Sequence, residues 1–193
     1  MKENFSGTGN FDAPAVYRPQ LPPDGDIKTS ITLPQQVTAG AAFSFMPDFQ
    51  VEANVIWTNW SKFKTLNIDV PASMGTGTMT ISQPENYQDT TSFRIGAEYR
   101  LPHLGAAVRA GYIYDPTPIP ATTLTAQLPD IDRNDVTIGG SKSFGSYAAH
   151  VGLLWVLPTT RKTSDAANMP EYKGSYDVSA FVASVTLSGH FSN

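Results

Sequence analysis

The sequence contains no cysteine. That excludes a disulfide framework, a thiolate metal site and a cysteine nucleophile, and it leaves the compartment open. No run approaches the roughly 20 apolar residues that a transmembrane helix requires. A mean hydropathy of −0.21 points the same way, but averages miss strands that interleave polar and apolar residues. Charge is scarce too. Only 16% of the residues are charged and the net charge is −4, which gives no reason to expect a nucleic-acid partner. The opening stretch MKENFSGTGNFDAP lacks the apolar centre of a secretory signal peptide. It predicts a protein that is not exported or a chain without its natural start.

What the sequence does have is turns and alternation. Fifteen Gly and fifteen Pro in 193 residues suggest β-dominated material with many turns. In TSFRIGAEYRL, Phe93, Ile95, Ala97, Tyr99 and Leu101 alternate with Ser92, Arg94, Gly96, Glu98 and Arg100, the period of a strand with one apolar and one polar face. The same pattern recurs in VTAGAAFSF, FQVEANVIWTNW, LGAAVRAGYIY, DVTIGGSKSF, SYAAHVGLLWVL and GSYDVSAFVASVTLSGHF. A shorter segment near Asn4 to Phe11 brings the expectation to about eight strands. In the last segment Tyr176 and Val178 fall on the opposite parity to Phe181, so a bulge near Ser179 or Ala180 is expected.

Connections alternate strictly. MPD, PHLG and the step through Gly145 are tight turns. The Pro-rich stretch ending QLPPDGDI, the polar stretch from about Ser61 to Thr90, residues 115–133 and residues 158–173 read as long loops. Such an antiparallel up-and-down meander matches a transmembrane β-barrel, and a secreted β-sandwich binding module is the soluble alternative. Two features favour lipid. The segments are about ten residues long, enough to span a bilayer when tilted. Aromatics also gather at segment ends: Trp57, Trp60, Tyr112, Tyr114, Tyr147, Trp155 and Phe191 are candidates for the membrane interface. The many alanines on the apolar face (Ala39, Ala53, Ala97, Ala110) suit fluid lipid better than a rigid core, where missing methyls leave voids. A small non-transporting barrel of structural or adhesive type shares all these features.

The segments LPPDGDIKTSITLPQQVTAGAAF, VEANVIWTNWSKFKTLNID, FRIGAEYRL, AAVRAGYIYDPTPIP, LPDIDRNDVTIGG and EYKGSYDVSAFVASVTLSGHF, in this order, resemble the FadL/TodX (OMPP1) family. The resemblance covers nearly the whole chain and is carried by the ordered set. It implies outer-membrane transport of long-chain fatty acids or other hydrophobic compounds, aromatic or aliphatic, without chemistry on the substrate. It also implies a Gram-negative outer membrane, lipid and the outer-membrane assembly machinery as partners, and a C-terminus on the periplasmic side. Family members resemble a 14-stranded barrel plugged by an N-terminal hatch. Residues 1–193 therefore read as a C-terminal barrel segment, with hatch and early strands absent. The family usually ends on its terminal aromatic, whereas this chain continues two residues beyond Phe191.

By parity Glu52, Arg94, Glu98, Arg100 and Arg109 face a lumen and are the ligand-binding candidates. Arg94 or Arg109 could hold a fatty-acid carboxylate, since guanidinium binds carboxylate bidentately. The competing and weightier reading pairs these charges across strands, because a lumen needs satisfied charges whatever it carries. His103, His150 and His190 show no metal-ligand spacing, and no catalytic nucleophile arrangement or cofactor motif stands out. Asp130, Asp132 and Arg133 are expected to fix a strand entry, with a Ca²⁺ role for the aspartates as a second reading. Ile119, Leu124 and Leu128 either form a capturing surface or pack their loop.

Overall fold

The computed structural model describes residues 1–72, 77–125, 128–163 and 174–190. They fall into two units, residues 1–35 with 59–89 and residues 36–58 with 90–193. The first unit is a four-stranded antiparallel sheet of β1 (Lys2–Gly9), β2 (Gly25–Thr32), β5 (Thr65–Pro71) and β6 (Thr78–Pro84), in the order β1-β2-β5-β6. Three of these strands correct the sequence reading, which placed no strand between the Pro-rich loop and Val37 and took the polar stretch from Ser61 to Thr90 for a loop. Leu66, Ile68 and Val70 do alternate there, but Asn67 and Asp69 are poor strand formers. They are held by cross-strand polar pairs: the Ser82 hydroxyl donates to Asn67 at 2.8 Å and the Thr80 hydroxyl to Asp69 at 2.6 Å. Val70 is buried, and the Tyr87 ring packs edge-on against Phe63 and Trp60. Beside them, burial pushes the Glu85 carboxyl above its ordinary value.

The second unit is a seven-stranded antiparallel meander. It comprises β3 (Gln36–Met46), β4 (Phe49–Thr58), β7 (Thr90–Leu101), β8 (Ala106–Asp115), β9 (Arg133–Phe144), β10 (Tyr147–Lys162) and β11 (Ser175–Gly189). Their order is β11-β10-β9-β8-β7-β4-β3. The segment near Asn4, expected as an eighth strand of this series, belongs to the other sheet. All three tight turns lie at one end: Pro47–Asp48, the 3-10 turn Pro102–Leu104 followed by Gly105, and Gly145–Ser146. Gly145 sits at φ 62° between the paired residues Phe144 and Tyr147, the left-handed geometry of a two-residue hairpin. A side chain there is strained, so Gly145→Ala should cost about 1 kcal/mol, read as a shift of the unfolding midpoint in urea.

The bulge expected near Ser179 or Ala180 is not there: β11 runs on unbroken, so Tyr176 and Val178 stay on the face opposite to Phe181, and the register break lies in the neighbouring strand. Val156 pairs with Ala180 and Thr159 with Val178, so β10 carries one residue more than β11 over this step, at Leu157–Pro158. Proline cannot donate to a ladder and is tolerated at such a break. The extra residue reverses parity, and Thr159 and Arg161 now share a face with Val156.

Among the described residues, the apolar side chains on one face of the meander stay exposed. Ile138 lies in the middle of the sheet, flanked by Ala110 and Leu153, yet is 55% exposed. Val151, Phe93, Val185 and Leu187 are also exposed. A sandwich would bury these residues.

Candidate functional site

The opposite face carries the polar parity and borders an open hollow of about 720 Å³ lined from β4 to β11. Register decides which side chains meet. Gln50, Glu98 and Arg109 stand abreast on β4, β7 and β8, as do Asn54, Arg94 and Ile113 two rows further from the turns. Glu98 takes both of its neighbours: Arg109 at 2.7 Å and Arg100 at 2.8 Å. Arg109 also donates to the Ser141 hydroxyl at 3.2 Å. Glu52 accepts from the Asn54 amide at 2.7 Å. This is the cross-strand neutralisation expected of a polar lining.

Arg94 is different. Its guanidinium lines the hollow, and among the described residues it makes neither a hydrogen bond nor an ion pair. Parity assigned Arg94 and Arg109 to one face, but only register separates a free cation from a neutralised one. His150 borders the same hollow with Ser188 at 3.2 Å.

The far end of the face is built by residues that sequence reasoning used in part or missed. Asp132 accepts the Thr117 N–H at 2.8 Å and Asp130 accepts the Thr117 hydroxyl at 2.7 Å. Arg161 reaches in from β10 to the carbonyl oxygens of Asp130, at 2.8 Å, and Ile119. Arg133 pairs with Asp115, which also accepts the Ser92 hydroxyl at 2.5 Å. Ile119, Leu124 and Ile131 are buried beneath this network, whereas Leu128 is exposed. The loop is thus packed, in line with the second of its two readings. Asp135, which no sequence signal singles out, is buried with its Oδ1 unpartnered among the described residues.

On the apolar face the aromatics fall at two levels. Tyr112, Val136, Trp155 and Phe181 stand in one row across β8 to β11, with Tyr114 and Trp57 on the following rows. Phe144 and Tyr147 flank the Gly145 turn. Trp60 lies in the other unit against Tyr87, 5.9 Å between ring centroids, and Phe191 lies outside the described residues.

Comparison with known proteins gives this face and its hollow a context. A long-chain fatty acid transport protein of Salmonella typhi is 24% identical over 183 residues, 90% of this chain. Its counterpart in Escherichia coli K12 is 22% identical over 146 residues. The chain spans 41% of the length of the first relative and 32% of the second. Among solved structures, the toluene transporter TodX of P. putida superposes with a TM-score of 0.67 at 24% identity, covering 88% of this chain and 38% of that one. A Pseudomonas aeruginosa FadL homologue gives 0.63 at 22%, covering 84% and 36%. The meander is accordingly part of a barrel wall. The family profile described as outer membrane protein transport protein (OMPP1/FadL/TodX) matches residues 4–191, and the chain belongs to that family.

Proposed function

We propose that the seven-stranded sheet is one side of an outer-membrane barrel through which hydrophobic compounds, long-chain fatty acids among them, pass unchanged. The observation that carries this reading is the pairing of an exposed apolar face with a polar face that borders an open hollow. In water such an apolar face is a liability; against acyl chains it is the required solvent boundary. Trp155 and Tyr147 lie eight residues apart on β10, about 26 Å along the strand at 3.3 Å per residue. Tilted by roughly 40° as barrel strands are, that separation projects to about 20 Å, which places both rings inside or at the edges of an apolar band of roughly 25 Å. The three tight turns then face the periplasm, and so does the C-terminus, since β11 ends beside Ser146 with the His190 N–H on its carbonyl at 2.8 Å.

β3 and β11 each pair on one side only, and lipid cannot satisfy open strand edges. Seven is an odd number, so β3 and β11 run in the same direction. A second copy in the same membrane orientation would meet this sheet with parallel seams. Antiparallel closure needs a different stretch that contributes an odd number of strands, which fits a chain spanning about two fifths of a relative. This is the role proposed for residues 1–193: a C-terminal barrel segment completed by earlier strands and a hatch, folded with the help of the outer-membrane assembly machinery.

The test is uptake of labelled oleate and of toluene by cells lacking their own transporter and expressing the full-length protein. A several-fold rise over vector for either compound is expected. Barrel present in the outer membrane, shown by heat-modifiable gel migration, with no rise for either compound would refute the transport reading.

A further inference from the structure

From the tight turns up to the row of Trp155, the apolar face of the seven strands carries one charged side chain among the described residues, Lys142. It stands on β9 between Ala106 of β8 and Ala149 of β10. Its ammonium donates to the Leu104 carbonyl oxygen at the end of the Pro102–Leu104 turn. Among the described residues no carboxylate pairs with it. An ammonium has three N–H groups, so donors remain for a group outside the sheet. Ala149 lies two residues inside Tyr147 on β10, about 7 Å along the strand. Lys142 therefore starts just inside the aromatic level of Phe144 and Tyr147, and its four-carbon stem carries the charge out to that level.

The surface beside Lys142 is shaped as well. The next residue on this face toward the middle of the sheet is Gly140, with exposed Val108 and Val151 on either side. Two strand spacings separate β8 from β10, about 10 Å at ~4.8 Å each, so the two valines wall a shallow trough. Local packing does not demand its bare floor. Gly140 is not in the left-handed region, and a Cβ there would meet the Ala107 carbonyl oxygen at 3.5 Å and the Val151 Cγ2 at 3.9 Å, both ordinary contacts. At the neighbouring Gly139, on the other face, a Cβ would press on the Val151 carbonyl oxygen at 3.1 Å. Packing thus explains glycine at 139 but not at 140, where a side chain would fill the trough.

We propose that Lys142 and the trough over Gly140 form a site for one anionic glycerophospholipid of the periplasmic leaflet. The phosphate accepts from the Lys142 ammonium, a charge-assisted hydrogen bond, and one acyl chain lies over Gly140 between Val108 and Val151. The small side chains of Ala106 and Ala149 leave the approach to the ammonium open. A headgroup with net negative charge is preferred, because the cation of a choline headgroup competes with Lys142 for the same phosphate. The inference rests on the barrel reading above, which puts this face in lipid and the tight turns at the periplasm. Its ligand stays on the outer wall and is not a compound that passes through the lumen.

The experiment measures binding of radiolabelled phosphatidylglycerol and phosphatidylcholine, with identical acyl chains, to the purified full-length protein in detergent, each against detergent alone. Phosphatidylglycerol should bind about fivefold more tightly at low salt, the worth of one lysine near an anionic lipid, and the margin should shrink in about 1 M salt. Lys142→Met should bring phosphatidylglycerol down to the level of phosphatidylcholine, and Lys142→Arg should keep the preference. Gly140→Leu should weaken both lipids several-fold; if that variant does not fold, the two Lys142 variants still decide. Equal binding of the two lipids, a preference that survives Lys142→Met, or unchanged binding in a folded Gly140→Leu would each overturn the proposal. So would tail-free glycerophosphoglycerol competing as well as the intact lipid. Heat-modifiable migration separates the two levels. A protein that migrates as a barrel but treats the lipids alike overturns this inference alone, and one that shows no heat shift removes the barrel reading beneath it.

Discussion

Val151→Arg is expected to destabilise the protein in a lipid bilayer by about 2–4 kcal/mol, the cost of a guanidinium near the midplane on the lipid face of a barrel. Val151 occupies the central row of the apolar face, between Gly140 and Val185, midway along β10 between Trp155 and Tyr147. Neither end of the bilayer is within easy reach of its side chain, so snorkelling gives little relief. The control is the adjacent residue. His150 points to the opposite face and lines the hollow, so His150→Arg should change stability by less than about 1 kcal/mol, as lumen substitutions do. Urea unfolding in vesicles, followed by the gel-migration shift, reads both. Reversed costs would mean that the faces have been assigned the wrong way round, and equal costs that neither faces lipid.

That assignment rests on the part of the fold most legible in the sequence. Alternation in TSFRIGAEYRL and its neighbours gives strands, faces and turns because period two is a local property. The parity conflict between Val178 and Phe181 points to a bulge in β11, but there the two residues simply face opposite ways. Which strand carries the extra residue depends on pairing, and β10 carries it at Leu157–Pro158. β5 and β6 were hidden because Asn67, Asp69, Ser82 and Thr80 look like loop residues until they are seen bonded to each other. The same limit governs the site. Parity put Arg94, Glu98, Arg100 and Arg109 on one face, but neutralisation is a matter of who stands abreast. Glu98 faces Arg109, while Arg94 stands between Asn54 and Ile113. Trp60 follows Trp57 by three residues, yet it lies beyond the end of β4 and packs in the other unit.

Arg161 was missed for a related reason, and its replacement should have the second largest effect. Read through from Trp155 without a break, residue 161 falls on the apolar parity, where an arginine has no business. The extra residue in β10 turns it to the inner face. There it donates to the carbonyl oxygens of Asp130 and Ile119 and to the Thr117 hydroxyl. These acceptors lie on both arms of the β8–β9 connection, the arms also tied by Asp132 and Asp130 to Thr117. Arg161→Ala leaves two part-buried carbonyl groups without donors, and hydrogen bonds from charged groups are worth about 1.5–3 kcal/mol each. A loss of about 3 kcal/mol is expected, concentrated in the loop, because the strand ladder beneath it is untouched. Hydrogen exchange and protease cleavage between residues 116 and 132 should rise by about two orders of magnitude, that energy taken at 1.4 kcal/mol per tenfold. Arg161→Lys should recover only part, since an ammonium lacks the planar fork that spans separate acceptors. Deletion of Leu157 supplies an independent check. It removes the bulge yet keeps Thr159 opposite Val178 and Arg161 opposite Tyr176 on the inner face, so the loop should stay protected with the arginine in place. A loop that stays protected in Arg161→Ala would show that the buried Ile119, Leu124 and Ile131 hold it without Arg161.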